Sequence, residues 1–329
     1  MIHCASIRHT SIIIVVFFTT IISGCCQAAD SVAPATKSTD GADVARYKAF
    51  PVRWSWKASP DAPIWRSEGG PFLSCFQEWG GMRTLAGNGE QQSYAEPSAW
   101  KNAGLNVTTY DASTKSLVIR PRRTTPAERA LTGSDVLSGM FTLEQLPKAC
   151  PKLGVWRLMV KMPGQGKGGA TFQGAWPALW LVAHKYPHTT YGPPEGDPYF
   201  DKHVELDIYE GHSREPKRIY VTDHKPEAFN KPPEKEFLQD IKSDTDTSDG
   251  FHEWLTVVTA KSWKVYLDGK LISSRPETSI ANSYEKYLII NLAVGGKWFG
   301  NIEPNNDLSA WEMAIQSIDV YDLPDGYKE

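Results

Sequence analysis

Cysteine is scarce in this chain, and its placement narrows the chemistry. Of five cysteines in 329 residues, Cys4, Cys25 and Cys26 fall near the N-terminus, leaving Cys75 and Cys150 in the body. There is no Cys-x-x-Cys and no His-Glu-x-x-His, so dithiol exchange and zinc-peptidase chemistry have no support. Cys75 and Cys150 are either one disulfide formed in an oxidising compartment or two separate buried thiols. Net charge is also small: -3 at pH 7, with a pI near 6.3. That excludes the basic surface that nucleic acid or an anionic membrane requires. Long apolar runs are absent too. The run from Ile12 to Ile22 has the length of a secretory apolar region and is too short for a comfortable membrane span. Helical periodicity is nearly missing, with Pro126–Leu131 alone reading as a turn or two of helix.

The apolar run assigns residues 1–28 to an export signal. Ile22-Ser23-Gly24-Cys25 resembles a lipoprotein box, which would make Cys25 a lipidated first residue, whereas Cys26-Gln27-Ala28 offers small residues for ordinary cleavage. Both readings export the chain to an extracellular, periplasmic or outer-membrane-anchored location. Membrane contact is expected only through such an N-terminal anchor. Residues 29–45, rich in Ala, Ser, Thr, Asp and Gly, read as a flexible linker. Residues 46–329 show no second linker and no repeat and are taken as one domain, expected to be a monomer.

What fills that domain is β-structure. Short alternating or apolar runs occur at Leu105–Tyr110, Ser116–Arg120, Gly154–Met162, Trp176–Ala183, Val204–Tyr209, Arg218–Thr222, Trp254–Ala260, Trp263–Leu267, Tyr287–Val294 and Met313–Leu323. Turn residues separate them, and Asp268-Gly269 predicts a tight type I′ hairpin. Many short strands of this kind make a sandwich or a barrel. Two irregular stretches, His184–Lys202 and His224–Asp249, are long enough to serve as cleft walls. The 12 Trp and 13 Tyr residues exceed what a core needs and suit the flat faces of sugar rings.

The most informative segment is Glu205-Leu206-Asp207-Ile208-Tyr209-Glu210. The apolar partners ask for a buried strand and the carboxylates resist burial. On a strand, Glu205 and Asp207 share one face, with Leu206 and Ile208 on the other. Glu210 is at an odd offset from Glu205, so a regular strand sends it to the wrong side. A β-bulge around Ile208-Tyr209 would return it beside the other two. Retaining glycosidases need two such carboxylates about 5–5.5 Å apart, whereas the bland alternative is an acidic solvated face.

The same six residues resemble the bulged Glu-x-Asp-x-x-Glu signature of glycoside hydrolase family 16. Three more stretches follow in the family's order. They are Trp176-Pro177-Ala178-Leu179-Trp180, then Phe251-His252-Glu253-Trp254 with Asp268-Gly269, and Asn291-Leu292-Ala293-Val294-Gly295-Gly296 before a closing strand. The resemblance implies an all-β jelly-roll sandwich of two curved antiparallel sheets, with the substrate lying across the concave one. It makes Glu205 the nucleophile and Glu210 the acid/base, with Asp207 orienting Glu205. On this reading the charge of Glu205 keeps Glu210 protonated. The resemblance also places Trp176 and Trp180 in a sugar platform, with core packing as the alternative, and offers Trp298 as a lesser platform residue. His224 matches a substrate-contacting histidine loosely. Asp319 falls where some relatives hold a structural calcium ion; otherwise no cofactor is required.

The expected activity is that of an exported, retaining, endo-acting hydrolase of a β-linked polysaccharide, with β-1,3(4)-glucan as the first choice. Alternatives left open are a marine galactan hydrolase, a transglycosylase using the same carboxylates, and a non-catalytic carbohydrate-binding protein. Lys202, Arg214, Lys217 and Arg218 could meet sulfate esters or form a solvated charged face.

Overall fold

The computed structural model describes residues 40–329, apart from 102, 165–173, 184–204, 225–236, 277–283, 299 and 305. The expected export signal, His203, Lys202 and the His184–Lys202 wall therefore lie outside the described residues. Most of the regular secondary structure is strand, in two large antiparallel sheets of eight and six strands and a small three-stranded one. The eight-stranded sheet runs Lys270–Pro276, Ser262–Leu267, His252–Val258, Gly154–Lys161, Met313–Asp322, Ser116–Ile119, Thr108–Asp111, with Val52–Lys57 also paired to Met313–Asp322. The six-stranded sheet runs Phe237–Lys242, Arg218–His224, Glu205–Glu210, Ala175–Ala183, Lys286–Val294, Met140–Thr142. This is the expected jelly-roll sandwich.

Alternation along the strands builds its core. Leu179, Leu181, Leu206, Ile208, Leu288 and Ile290 of the six-stranded sheet share one buried cluster with Trp156, Leu158, Trp254, Ile318 and Val320 of the eight-stranded sheet. Their neighbours Ala178, Trp180, Val182, Tyr287 and Ile289 point the other way and join a separate cluster with Phe76, Tyr94 and Met140. A segment ahead of the main strands thus covers part of the outer face of the six-stranded sheet. One buried ion pair, Arg275 Nη1 to Asp223 Oδ2 at 3.0 Å, ties the edge of one sheet to the strand beside the carboxylates in the other.

Two sequence expectations are corrected, and one choice left open by the sequence is decided. The linker does not extend to residue 45: a helix occupies Asp40–Lys48. Its Val44 and Tyr47, with Phe50, pack against Val155, Leu255, Val257 and Tyr266, because an i, i+3 apolar pair suffices to seat a short helix. Within the predicted loop at 224–249, Phe237–Lys242 is a strand, paired from Arg218↔Lys242 to Asp223↔Phe237. Its mixed Phe-Leu-Gln-Asp-Ile-Lys composition suits an edge, which keeps one side in solvent. Cys75 and Cys150 are free buried thiols, not a disulfide, and Cys150 donates to the Leu146 carbonyl oxygen at 3.2 Å.

Two other expectations hold. Pro126–Thr132 is a helix with Thr125 and Glu128 in a reciprocal capping box. Asp268 and Gly269 both take positive φ, 48° and 81°, joining Ser262–Leu267 to Lys270–Pro276 as the type I′ turn requires. The structure also shows why the Phe-His and Asp-Gly stretches belong together. His252 Nδ1 lies 2.6 Å from Asp268 Oδ2, and Asp268 Oδ1 accepts from the Glu253 N–H at 2.8 Å. His252 Nε2 meets Asp249 Oδ1 at 3.0 Å.

Burial opposes a charge on His252, but the hydrogen bonds and charges of Asp268 and Asp249 outweigh it and raise the imidazole pKa above its usual 6.5. A raised folded-state pKa contributes stability that is complete below the unfolded value and disappears as pH rises through the folded one. Wild type should therefore exceed His252→Gln in urea midpoint by more at about pH 5.5 than at about pH 8.5. A gap that is constant across that range would show that the imidazolium is not what holds the turn.

Candidate active site

The carboxylate strand carries the expected bulge. Against the strand Ala175–Ala183, Asp207 pairs with Trp180 while Tyr209, not Ile208, pairs with Leu179. Against Arg218–His224, the step from Asp207↔Thr222 to Glu210↔Tyr220 accommodates an extra residue. Ile208 and Tyr209 both reach the core, where the Tyr209 ring meets Trp254 at 4.8 Å. Glu210 returns to the face of Asp207. Gly211 completes the bulge, since a Cβ there would sit 2.1 Å from the Tyr209 hydroxyl oxygen.

On that face Glu205, Asp207 and His224 converge. His224 Nε2 is 2.9 Å from Asp207 Oδ2 and 3.5 Å from Glu205 Oε1. Register explains the meeting, because Glu205 and His224 are direct cross-strand partners. Burial differs along the row: side-chain exposure is 16% for Glu205 and 3% for Asp207. Glu210 is buried at 9%. It accepts a hydrogen bond from the Trp176 indole N–H at 3.0 Å.

Burial is the main cause that holds the Glu210 carboxyl well above its ordinary pKa, followed by the negative charge of Asp207. Nearby His224 pulls it down, Glu205 raises it, and the Trp176 hydrogen bond lowers it. The expectation that Glu205 protects the Glu210 proton is thus corrected in emphasis. Asp207 sits closer to Glu210 in the row and is more deeply buried, so its charge counts for more. The arrangement offers an accessible carboxylate at Glu205 and a carboxylic acid at Glu210, two groups driven apart in role by environment.

Of the residues expected in an aromatic platform, Trp176 and Trp298 lie side by side. Their ring centroids lie 5.4 Å apart, Trp298 is 41% exposed, and Tyr220 meets it at 4.7 Å. Trp180 is corrected to a packing role. It is 5% exposed, its ring lies 5.8 Å from Phe76, and its indole N–H donates to Asn291 Oδ1 at 2.7 Å. Asn291 Nδ2 then donates to the Tyr94 hydroxyl at 2.9 Å, and Tyr94 donates to Glu90 at 3.3 Å. Sequence reading missed this covering segment because its short turns carry no periodic pattern. The signal available was aromatic: Phe72, Phe76 and Tyr94 are all buried.

His212 is buried as well, and its Nδ1 accepts from the Arg214 N–H at 2.9 Å, which gives it a turn-forming task. Asp319 does not assemble a calcium site. Its oxygens meet Ser55 Oγ at 2.5 Å and Arg157 Nη1 at 2.8 Å, and Arg157 also binds Glu253. A calcium ion asks for six to eight oxygens, whereas here a guanidinium takes the place of the cation. Among the described residues, the one group of three potential metal donors is Glu205, Asp207 and His224, within 4.8 Å of one another.

Comparison with known proteins gives the same picture. No protein-family model matches the chain. The endo-1,3-1,4-beta-glycanase EglC of Rhizobium meliloti (strain 1021) is 28% identical over 243 residues, 73% of this chain and 45% of its own. A second glycanase of that organism, ExsH, is 26% identical over 240 residues. The chain thus spans about half the length of the curated relatives it matches. Among solved structures, the laminarinase catalytic domain of Thermotoga maritima MSB8 superposes with a TM-score of 0.59 at 23% identity, covering 83% of this chain and 99% of that one. SCLam, a non-specific endo-beta-1,3(4)-glucanase from family GH16, gives 0.57 at 22% identity, covering 83% and 93%. The fold is that of the family 16 laminarinase domains. The family 16 likeness read from the four motifs is matched in fold by SCLam, and the similar sequences are named endo-1,3-1,4-beta-glycanases.

Replacing Asp207 by Asn removes the larger of the two charges that repel a proton-free Glu210. The Glu210 pKa should then fall toward the ordinary carboxylate range, which carboxyl-carbon NMR titration of the labelled protein reads directly. An unchanged or higher value would mean that burial alone sets it.

Proposed function

We propose that this chain is a retaining, endo-acting hydrolase of a β-1,3- or β-1,3-1,4-linked glucan belonging to glycoside hydrolase family 16. The observation that carries this reading is the bulge, which sets Glu205 and Glu210 on one face with different burial. Relatives named endo-1,3-1,4-beta-glycanase and neighbours named laminarinase favour β-glucan over galactan as the substrate class. Extracellular action is part of the same proposal and rests on the apolar run at Ile12–Ile22.

The mechanism follows from the chemistry of the row. Glu205, the more accessible carboxylate, attacks the anomeric carbon while Glu210 gives its proton to the departing glycosidic oxygen. A covalent glycosyl ester on Glu205 results. Esterification cancels the charge of Glu205 and so removes one of the two repulsions that kept Glu210 protonated. Glu210, now ionised, takes a proton from water as it attacks the ester, and Glu205 is released with the sugar configuration retained. Asp207 and His224 hold Glu205 in place from the flank. Trp176 both hydrogen-bonds Glu210 and, with Trp298, offers a flat apolar corner for a sugar ring.

Release of reducing ends should occur on laminarin or lichenan and be absent on agarose and carrageenan. Glu205→Gln and Glu210→Gln should each lower the rate by about 10²–10⁴-fold or more. With an added acceptor sugar, hydrolysis should still outrun transfer. Cleavage of a galactan in place of glucans would overturn the substrate assignment, and full activity in Glu205→Gln would overturn the catalytic one.

A further inference from the structure

Beyond the carboxylates, the outer strand pair continues to a patch that the reaction does not use. Arg218, Tyr220, Thr222 and His224 alternate onto one face of their strand, and His224 fixes that face as the one bearing Glu205 and Asp207. Lys242 is the cross-strand partner of Arg218, so it stands on the same face. Side-chain contacts trace the path: Glu210 to Trp176, Trp176 to Trp298, Trp298 to Tyr220. The Arg218 guanidinium then lies over the Tyr220 ring at 5.3 Å. Here a cavity of about 350 Å³ opens, lined by Glu215, Lys217, Arg218, Lys242 and Ser243.

The charges of this cavity are unevenly spent. Asp240 grips Arg218 with two hydrogen bonds, at 2.8 and 2.6 Å, and Glu215 Oε2 is 3.1 Å from its Nη1. Both nearby carboxylates are thus committed to one arginine. Lys217 and Lys242 are exposed and form no ion pair among the described residues. With Arg218, Lys217 and Lys242 set against Glu215 and Asp240, the cavity keeps one net positive charge, and Lys242 acts on Asp240 only at longer range. The floor beneath them is built, not loose: Ser243 N–H donates to the Lys217 carbonyl at 2.7 Å, and Thr247 N–H to that of Pro216 at 3.1 Å. A neutral glucan gives such lysines nothing to pair with.

We propose that the substrate cleft extends onto this basic shelf and that Lys217 and Lys242 bind an anionic substituent, a carboxylate or a sulfate ester, carried by the glycan. The proposal rests on the glycan-cleft reading above and adds a charge preference to it. Arg218 stands two residues along the strand, about 7 Å at ~3.3 Å per residue, from Tyr220, the cross-strand partner of Glu210, which places the substituent on a sugar near the bond that breaks.

The test uses three polymers of one backbone: laminarin, laminarin oxidised at its primary hydroxyls to carboxylates, and sulfated laminarin. Binding is read by affinity electrophoresis on the full chain carrying Glu205→Gln, with and without Lys217→Ala plus Lys242→Ala. One or both charged polymers should bind roughly five- to tenfold more tightly than laminarin at low salt, as two exposed charge contacts allow. The advantage should shrink with salt and vanish in the lysine variant, whose affinity for laminarin stays unchanged. Preference for the carboxylated or the sulfated polymer identifies the substituent. Equal binding of charged and neutral polymers, or a preference that survives both substitutions, overturns the shelf. Hydrolysis of laminarin without any charge preference would leave the hydrolase reading intact. Lysine-dependent charge preference without hydrolysis by the wild-type chain would do the reverse.

Discussion

The bulge at Ile208-Tyr209 is the constraint from which the rest of the site follows. A six-residue strand with three carboxylates can satisfy a hydrophobic core only if the acidic side chains all turn away from it. Regular pleating fails, because Glu205 and Glu210 differ by an odd number of residues. Inserting one residue sends both Ile208 and Tyr209 into the core and restores Glu210 to the outer face. The tight contact between Tyr209 and Gly211 then fixes how the chain leaves. Stability and chemistry are therefore not separable here: the packing of two apolar side chains against the opposite sheet sets the position of the acid. A smaller residue at Tyr209 would loosen that position before it unfolded the protein.

The electrostatics of the row depend on the same geometry. A carboxyl that must carry a proton near neutral pH needs either a dry surrounding or a neighbouring negative charge. Glu210 has both, and burial leads. Burial comes from the strand's position inside a six-stranded sheet, whereas the charge comes from Asp207, which is held by its own position on the strand and by His224. The ordering matters for the cycle. In the proposed double displacement, esterification of Glu205 would relieve only a secondary repulsion, so much of what tunes Glu210 would persist through both steps. The Trp176 hydrogen bond favours the ionised form of Glu210 and moderates the shift.

The architecture and the carboxylate strand were legible because both express themselves in short-range pattern. Alternation marks strands, Asp-Gly marks a tight hairpin, and an odd spacing between glutamates marks a bulge. His224 was less visible, since its match to the family is loose and only cross-strand register brings it to Glu205. Trp180 misled for the opposite reason. Alternation placed it correctly on the outer face, but nothing local says that Phe76 and Tyr94, roughly a hundred residues earlier, come back to cover that part of the sheet. Strand Phe237–Lys242 and the helix at Asp40–Lys48 escaped because an edge strand and a two-residue apolar seam leave weak patterns. Asp319 shows the limit of reasoning from a single carboxylate: its partner, Arg157, is adjacent only through sheet pairing.

Sheet register also separates what can vary from what cannot. Glu205, Asp207 and Glu210 each have a cross-strand partner in Ala175–Ala183 and, through it, in Lys286–Val294. A change of register in any one of these strands would turn an alternating set of side chains inside out. The catalytic row and its backing are thus locked together by backbone pairing and core packing. The end of the outer strand pair is under no such restriction. Lys217 and Lys242 are exposed, and Arg218 spends its hydrogen bonds on Asp240 and Glu215 at the surface. Substitution there leaves the core and the bulge untouched. The carboxylate row and the outer end of the strand pair therefore fall on parts of one sheet under different physical restraint, so side chains at the outer end can change while the row stays in place.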